Sequence, residues 1–161
     1  MKTLIVGISD LAVGKDETVL QTNGLGSCIG IILYDKATKI GGLLHILLPQ
    51  CNKENEENKA KYADTGIPLL LDTMILLGAN KRRLQAAIYG GADMFQNLSR
   101  SSLFSIGSRN IEITKKILNE NNIPIINSNV GGHKGRTIIF NCNTGTVNVK
   151  TLGESVTNFT F

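Results

Sequence analysis

Short apolar runs separated by polar turns dominate the first third of the chain. The pattern predicts strands over Lys2–Ile8 and Thr18–Thr22, and then two longer apolar segments, Cys28–Tyr34 and Ile40–Leu48. Two such segments on either side of a short polar turn indicate a β-hairpin. The stretch that follows, Gln50–Lys61, is dense in Asn, Glu and Lys and is predicted to be a mobile loop.

The middle of the chain carries the signals of a helix. Asp64 or Thr65 could cap a helix that runs to Leu77. Pro68 would then lie in its first turn, and Gly78 stands where a helix would end.

The second half of the chain returns to strands around one more helix. A helix is predicted over Ser108–Asn121, where apolar and charged residues separate to different faces. Strands are predicted over Leu84–Tyr89, Ile123–Val130, Arg136–Phe140 and Thr146–Thr151, with Asn143-Thr144-Gly145 as the turn of a second hairpin. Many strands with two helices predict an α/β (α+β) sandwich in which helices cover a mixed sheet. We expect residues 1–161 to form a single domain.

Composition excludes several classes of protein. The content of 42% hydrophobic and 19% charged residues is that of an ordinary globular protein. No apolar run approaches the ~18 residues of a membrane span, and the start of the chain lacks the features of a signal peptide. The three cysteines cannot all pair with one another, which indicates free thiols and a cytoplasmic location. Membrane insertion is therefore not expected.

The charge of the chain argues against nucleic-acid binding. The formal net charge is +4, and the densest basic run is Lys81-Arg82-Arg83. The few aromatic residues do not alternate with that run, as a base-stacking surface would require. A solvated connection between two elements explains the run better.

The segment Thr22-Asn23-Gly24-Leu25-Gly26-Ser27-Cys28 carries the strongest chemical signal. Two glycines just before a cysteine permit backbone conformations that other residues avoid and a close approach of the backbone to a ligand. Amides exposed in such a turn can converge on one anionic oxygen. We therefore regard Gly24, Gly26 and Ser27 as candidates for an oxyanion-binding turn, and Cys28 as a candidate nucleophile.

His45 is the candidate partner of that thiol. A four-residue loop starting at Asp35 would place Tyr34 opposite Lys39, and the same register places Cys28 opposite His45. Directly opposed residues share a face of the hairpin, with β-carbons ~4.5–5.5 Å apart. At that distance an imidazole could take the thiol proton and lower the pKa of the thiol.

The residues alone leave a structural explanation open. A cysteine or histidine in an apolar strand is commonly a core residue. Metal binding has less support, because the chain has two histidines and lacks the spacing of common metal-ligand motifs. The segment Gly131–Thr137 does not have the spacing of a phosphate-binding loop and is better explained as a turn.

A set of ordered motifs resembles the CheD family over nearly the whole chain. Gly24-Leu25-Gly26-Ser27-Cys28 followed by Gly41-Gly42-Leu43-Leu44-His45-Ile46-Leu47-Leu48-Pro49 is similar to the active-site signature of that family. Further matches are Lys61-Tyr62-Ala63-Asp64, Gly90-Gly91-Ala92-Asp93-Met94-Phe95, Ile106-Gly107-Ser108-Arg109-Asn110 and Val130-Gly131-Gly132-His133-Lys134-Gly135-Arg136. Motifs in one order at compatible spacing are more specific than any single motif.

The resemblance implies a fold, an activity and residue roles. It implies a three-layer sandwich similar to the catalytic domains of deamidating toxins, and a deamidase that converts glutamine side chains of chemoreceptors to glutamate. Cys28 would be the nucleophile, His45 the general base and acid, and Thr22 the residue that orients the imidazole. No cofactor and no metal is implied. The implied partners are methyl-accepting chemotaxis receptors, as protein substrates, and the CheC phosphatase.

Two other functions remain open from the sequence. The chain could be a regulatory binding module for receptors and CheC with weak or dispensable catalysis, or a cysteine hydrolase of another substrate. For partner binding, the serine-rich stretch Gln96–Ser108 contains apolar residues, of which Phe104 is the candidate anchor.

Overall fold

The computed structural model describes residues 1–94 and 105–161. Within these residues the strands are β1 (Lys2–Ile5), β2 (Asp10–Lys15), β3 (Thr18–Leu25), β4 (Ile29–Asp35), β5 (Ile40–Ile46), β6 (Gln85–Gly90), β7 (Ile125–Val130), β8 (Arg136–Asn141), β9 (Thr146–Thr151) and β10 (Thr157–Thr160). The helices are α1 (Ala63–Leu77) and α2 (Ile106–Glu120), and short 3₁₀ turns cover Lys59–Lys61 and Lys81–Arg83. Within this part of the chain, neither α-helix is long and apolar enough to span a membrane.

The strands form two mixed sheets that pack face to face. One sheet has the order β1-β3-β8-β9-β10 and the other β2-β5-β4-β6-β7. Both contain antiparallel pairs and one parallel pair, β1 with β3 and β6 with β7. A core of residues such as Leu20, Ile32 and Phe140 fills the space between the sheets. The predicted α+β sandwich is confirmed, although the prediction included one mixed sheet where the structure has two.

The helices cover the outer face of the second sheet. The alternate residues of β4 and β5, such as Ile31 and Leu44, pack with Ile67 and Leu70 of α1 and Leu118 of α2 in a second apolar core. Because β4 and β5 are buried on both faces, every residue in them is apolar, glycine or a residue with an internal partner. The layers are therefore sheet, sheet and helices, which makes the sandwich three-layered.

Several strands end at residues other than those predicted. β1 stops at Ile5, short of the predicted Ile8, and β3 continues to Leu25. The edge strands β2 and β10 were not predicted, because neither has a long apolar run. The hairpin of β8 and β9 is confirmed, with Gly145 in its turn at a φ of 74°.

The start of each helix also differs from its prediction. Tyr62 occupies the N-cap of α1 without a side-chain capping hydrogen bond, so neither Asp64 nor Thr65 caps the helix. The Asp64 carboxylate instead accepts from the Cys51 amide (3.0 Å), and Pro68 lies inside the helix. The predicted stop of α1 at Gly78 is confirmed, since its amide donates back into the helix.

The cap of α2 lies three residues before its predicted first residue. Ser105 is the N-cap, and its hydroxyl accepts from the Ser108 amide (3.1 Å). A serine hydroxyl at this position satisfies one of the free amides of the first turn. Ser108, predicted to begin the helix, therefore lies in its first turn.

An ion pair between a buried carboxylate and a partly exposed arginine closes the end of β4. The Asp35 side chain is fully buried and accepts two hydrogen bonds from Arg83, each 2.8 Å, and one from the Asn80 amide (2.9 Å). Burial alone would raise the pKa of Asp35, but the hydrogen bonds from Arg83 and Asn80 outweigh it and lower the pKa to about 2. Asp35 thus joins the β4–β5 hairpin to the connection before β6.

Asp35→Ala is expected to lower the free energy of unfolding by about 2 kcal/mol, because it removes the buried carboxylate that accepts three hydrogen bonds from Arg83 and the Asn80 amide. Urea unfolding measures this, with Asp72→Ala, an exposed acidic residue of α1, as the control. Because the pKa of Asp35 is lowered on folding from 3.8 to about 2, the contribution is present above pH 3.8 and lost as the pH falls towards 2. Equal losses in the two variants at pH 7 would contradict the role of this pair.

Candidate active site

A glycine turn at the end of β3 presents Cys28 between the two sheets. Gly24 has a φ of 65°, and the pairing of β3 with β8 shifts register between Thr22 and Leu25. The residues that follow β6 hold this turn in place. The Ala92 amide donates to the Gly26 carbonyl and the Gly91 amide donates to the Cys28 carbonyl, each at 2.8 Å. The thiol side chain lies in the apolar core between the sheets and is 6% exposed.

The predicted register of the β4–β5 hairpin is wrong by two residues. Asp35 pairs with Ile40, so that His45 lies opposite Gly30 and not opposite Cys28. The loop is Lys36–Lys39, with Lys39 at a φ of 56° and the Ala37 amide bound to the Asp35 carboxylate. Because a shift of two residues keeps the same face of a strand, Cys28 and His45 remain on one face as diagonal neighbours.

Thr22 lies between a backbone carbonyl and the His45 imidazole. Its hydroxyl donates to the Val6 carbonyl (2.6 Å) and lies 2.7 Å from His45 Nδ1. A hydroxyl has one proton and a carbonyl can only accept, so the Thr22 oxygen must accept from Nδ1–H. This assignment fixes the neutral tautomer of His45, with the proton on Nδ1 and a lone pair on Nε2.

The other ring nitrogen of His45 is free to act as a base. Nε2 is buried and has no hydrogen-bond partner among residues 1–94 and 105–161, and the residue as a whole is 0% exposed. Burial lowers the pKa of His45 to about 4, so the ring is neutral at pH 7. An unprotonated nitrogen on the Cys28 side of the sheet is what a proton transfer from a thiol requires.

The expected low pKa of the thiol is contradicted. Burial raises the pKa of Cys28, and a hydrogen bond from its own backbone amide offsets this only in part. The reason is that the neighbouring imidazole is neutral, so no positive charge stabilises a thiolate in the resting protein. The resting pair is therefore a neutral thiol beside a neutral imidazole.

Comparison with known proteins agrees with the motifs. The family model described as CheD chemotactic sensory transduction matches residues 47–151. Relatives from Pyrococcus horikoshii and Clostridium novyi, each named "probable chemoreceptor glutamine deamidase CheD", are 47% and 49% identical over 155 and 152 residues. The alignments cover 96% and 94% of this chain, and 95% and 94% of the relatives. The chain belongs to the CheD family.

The amides of the glycine turn differ in what they contact in this CheD-family chain. The Gly26 amide donates to the Gly24 carbonyl (3.0 Å) and is used inside the turn. The amides of Ser27 and Cys28 donate to no backbone carbonyl of residues 1–94 and 105–161. The geometry thus favours Ser27 and Cys28 as oxyanion donors, with Gly24 and Gly26 shaping the turn.

Asn110 is a site residue to which the sequence assigned no role. It is fully buried in α2, and its Nδ2 donates to the carbonyls of Ser27 (2.8 Å) and Leu47 (3.1 Å). The available signal was a polar residue on the buried stripe of α2, which consists of Gly107, Asn110, Thr114 and Leu118. A polar side chain on such a stripe needs a buried partner, but the partner could not be named from the sequence.

The remaining candidates lie outside this cluster. Phe104 is outside the described residues, so its role in partner binding stays a prediction. Cys51 lies in the loop before α1, and Cys142 is buried against Gly41 and Tyr34. Among residues 1–94 and 105–161, no group of three or more His, Cys, Asp and Glu side chains could hold a metal ion.

Nitrogen NMR of protein with ¹⁵N-labelled histidine is expected to show His45 as the Nδ1–H tautomer, because Thr22 can only accept from it. The ring is expected to stay neutral until the pH falls to about 4. Only His45 and His133 contribute signals, so a His133→Gln variant assigns them. A His45 signal that titrates near 6.5, the ordinary value for the residue, would contradict the burial described here.

Proposed function

We propose that this chain is a chemoreceptor glutamine deamidase that acts by thioester chemistry at Cys28. The observation that carries the proposal is the hydrogen bond between Thr22 and His45, which leaves the basic Nε2 without a partner among the described residues, on the face that also carries Cys28. The substrate class comes from the relatives, whose names specify chemoreceptor glutamine. We propose the cytoplasm as the location, where receptors would present those glutamines.

The first half of the reaction transfers the acyl group to sulfur. As the Cys28 Sγ attacks the carboxamide carbon, the thiol proton passes to His45 Nε2. The amides of Ser27 and Cys28 hold the negative charge that develops on the carboxamide oxygen. The His45 imidazolium then gives its proton to the departing nitrogen, so that ammonia leaves and a thioester remains.

The second half regenerates the enzyme. His45 Nε2 takes a proton from water, whose oxygen attacks the thioester carbon. The carbon–sulfur bond breaks, the thiol regains its proton through His45, and the glutamine side chain is released as glutamate. Thr22 accepts from Nδ1–H throughout, which stabilises the imidazolium that forms in each half and keeps the ring in one orientation.

Burial explains why the resting thiol would not react indiscriminately. Burial raises the pKa of Cys28 and lowers that of His45, so an ion pair is disfavoured before substrate arrives. When a carboxamide is bound, proton transfer from Cys28 to His45 becomes favourable, because the negative charge passes from sulfur to the carboxamide oxygen, which the turn amides bind.

A regulatory function remains the second candidate. Cys28 is 6% exposed and His45 is 0% exposed, so little of the site is accessible at the surface of the resting protein. Such low access would suit a binding module whose catalysis is dispensable. We propose CheC and the receptors as partners in either case. A Cys28→Ala protein that binds receptor fragments and supports adaptation as well as wild type would favour the regulatory function.

Cys28→Ala is expected to lower the rate of deamidation of a receptor cytoplasmic fragment by at least about a thousandfold, because it removes the nucleophile. Peptide mass mapping detects the change, since each conversion of Gln to Glu adds about one dalton. Cys51→Ser is the matched control and should keep the wild-type rate. Wild-type turnover in Cys28→Ala would refute the assignment.

Thr22→Val is expected to lower kcat by about a hundredfold, because the His45 Nδ1–H loses its acceptor and the ring loses its preferred tautomer. Valine keeps the shape of threonine, so the packing between the sheets should survive. Thr22→Ser restores the hydroxyl and should recover most of the rate. If valine were as active as serine, the orienting role of Thr22 would be wrong.

A further inference from the structure

The Asn110 side chain has a fixed orientation at the nucleophile turn. Its nitrogen lies 2.8 Å from the Ser27 carbonyl oxygen and 3.1 Å from the Leu47 carbonyl oxygen. Both carbonyls can only accept, so the atom between them must be the NH₂ group. The Asn110 Oδ1 then points away and is buried, with no hydrogen-bond partner in the part of the chain that the structure describes. The two donated hydrogen bonds therefore determine the orientation of the side chain.

The Ser27 carbonyl determines where the Cys28 amide points. Ser27 C=O and Cys28 N–H belong to one planar trans peptide, in which they point in opposite directions. By holding the carbonyl on one side, Asn110 directs the Cys28 N–H to the other. That amide is free of backbone acceptors in the described chain and is one of the two oxyanion donors assigned above.

Asn110 can act as a rigid support because α2 is tightly seated beside the turn. A β-carbon at Gly107 would lie 2.4 Å from the Ala92 carbonyl oxygen, so the first turn of α2 packs directly on that backbone. Ala92 in turn donates to the Gly26 carbonyl (2.8 Å). α2 therefore contacts the turn directly at the Ser27 carbonyl and, by way of Ala92, at Gly26. It contacts the chain that follows β5 at the Leu47 carbonyl.

We propose that Asn110 is a positioning residue that aims the Cys28 amide at the developing oxyanion. The proposal rests on Cys28 being the nucleophile of the proposed function, but it does not depend on the identity of the substrate. It predicts a specific loss: reactions of Cys28 that pass through an oxyanion should slow, while reactions that do not should be unaffected.

Two small reagents separate these effects. With p-nitrophenyl acetate, the Cys28 Sγ bonds to the acetyl carbon through an oxyanion, the ester C–O bond breaks and p-nitrophenolate leaves. With iodoacetamide, Sγ bonds to carbon as the C–I bond breaks and iodide leaves, with no oxyanion. In both reactions the thiol proton can pass to His45. The ratio of the two rates at Cys28, followed by peptide mass mapping in a Cys51→Ser background, isolates oxyanion stabilisation.

Asn110→Ala is expected to lower the ratio of acylation to alkylation at least about tenfold, a smaller loss than deletion of an oxyanion donor. In receptor deamidation the same variant should lower kcat with little change in KM. Asn110→Asp keeps the shape of the side chain, but its carboxylate has no proton to donate, so the ratio should fall at least as far. Circular dichroism and thermal melting check that each variant is folded, and Asn110→Asp replaces Asn110→Ala if the latter is not.

Thr114→Val is the matched control. Thr114 is also fully buried in α2, and its hydroxyl has no partner among the described residues. Valine has nearly the same shape, so this change tests α2 packing without altering contacts to the turn. The ratio of rates should stay within about twofold of wild type.

The outcomes are distinct. If acylation and alkylation change in parallel in Asn110→Ala, or if Thr114→Val lowers the ratio equally, the positioning role is overturned. A wild-type Cys28 that resists both reagents would overturn the nucleophile and the positioning role together. A protein that shows the expected ratios yet never deamidates receptor glutamine refutes the proposed substrate and supports the role of Asn110.

Discussion

The hydrogen bond between Thr22 and His45 is the interaction on which the site depends. It joins β3 of one sheet to β5 of the other across the mainly apolar core between them. The Thr22 hydroxyl is satisfied both as a donor and as an acceptor, because it donates to the Val6 carbonyl and accepts from His45 Nδ1–H. In a low-dielectric core such a contact holds one geometry strongly. The same contact therefore helps align the two sheets and determines which nitrogen of His45 is basic.

The other features of the site follow from placing a thiol and an imidazole in that core. Burial disfavours charge on both groups, so each stays neutral at rest. In the proposed mechanism, reactivity then depends on what substrate binding supplies, which is a carbonyl carbon to attack and an oxygen to receive charge. The orientation of the turn amides is decisive in that mechanism, and we propose that α2 contributes to it through Asn110.

Much of the fold could be predicted from local patterns. The β4–β5 hairpin follows from two apolar runs around a polar turn, and the end of α1 follows from Gly78. The edge strands β2 and β10 lacked such a signal, because an edge strand is stabilised by one neighbour and can be short and polar. The helix starts were displaced because Tyr62 and Ser105, not the expected residues, occupy the caps.

The sequence by itself determined the nature of the site: a cysteine after a glycine turn, and a histidine on the same face of the next strand. The predicted face of His45 was correct although the predicted register of the β4–β5 hairpin was wrong, because a shift of two residues keeps a side chain on the same face. The family resemblance already implied that Thr22 orients the imidazole, but only the tertiary structure decided which His45 nitrogen it contacts, the neutrality of the pair and the position of Asn110. These depend on groups 23 and 83 residues apart and on burial. No local pattern encodes such distances, since they arise only when two sheets and a helix pack together.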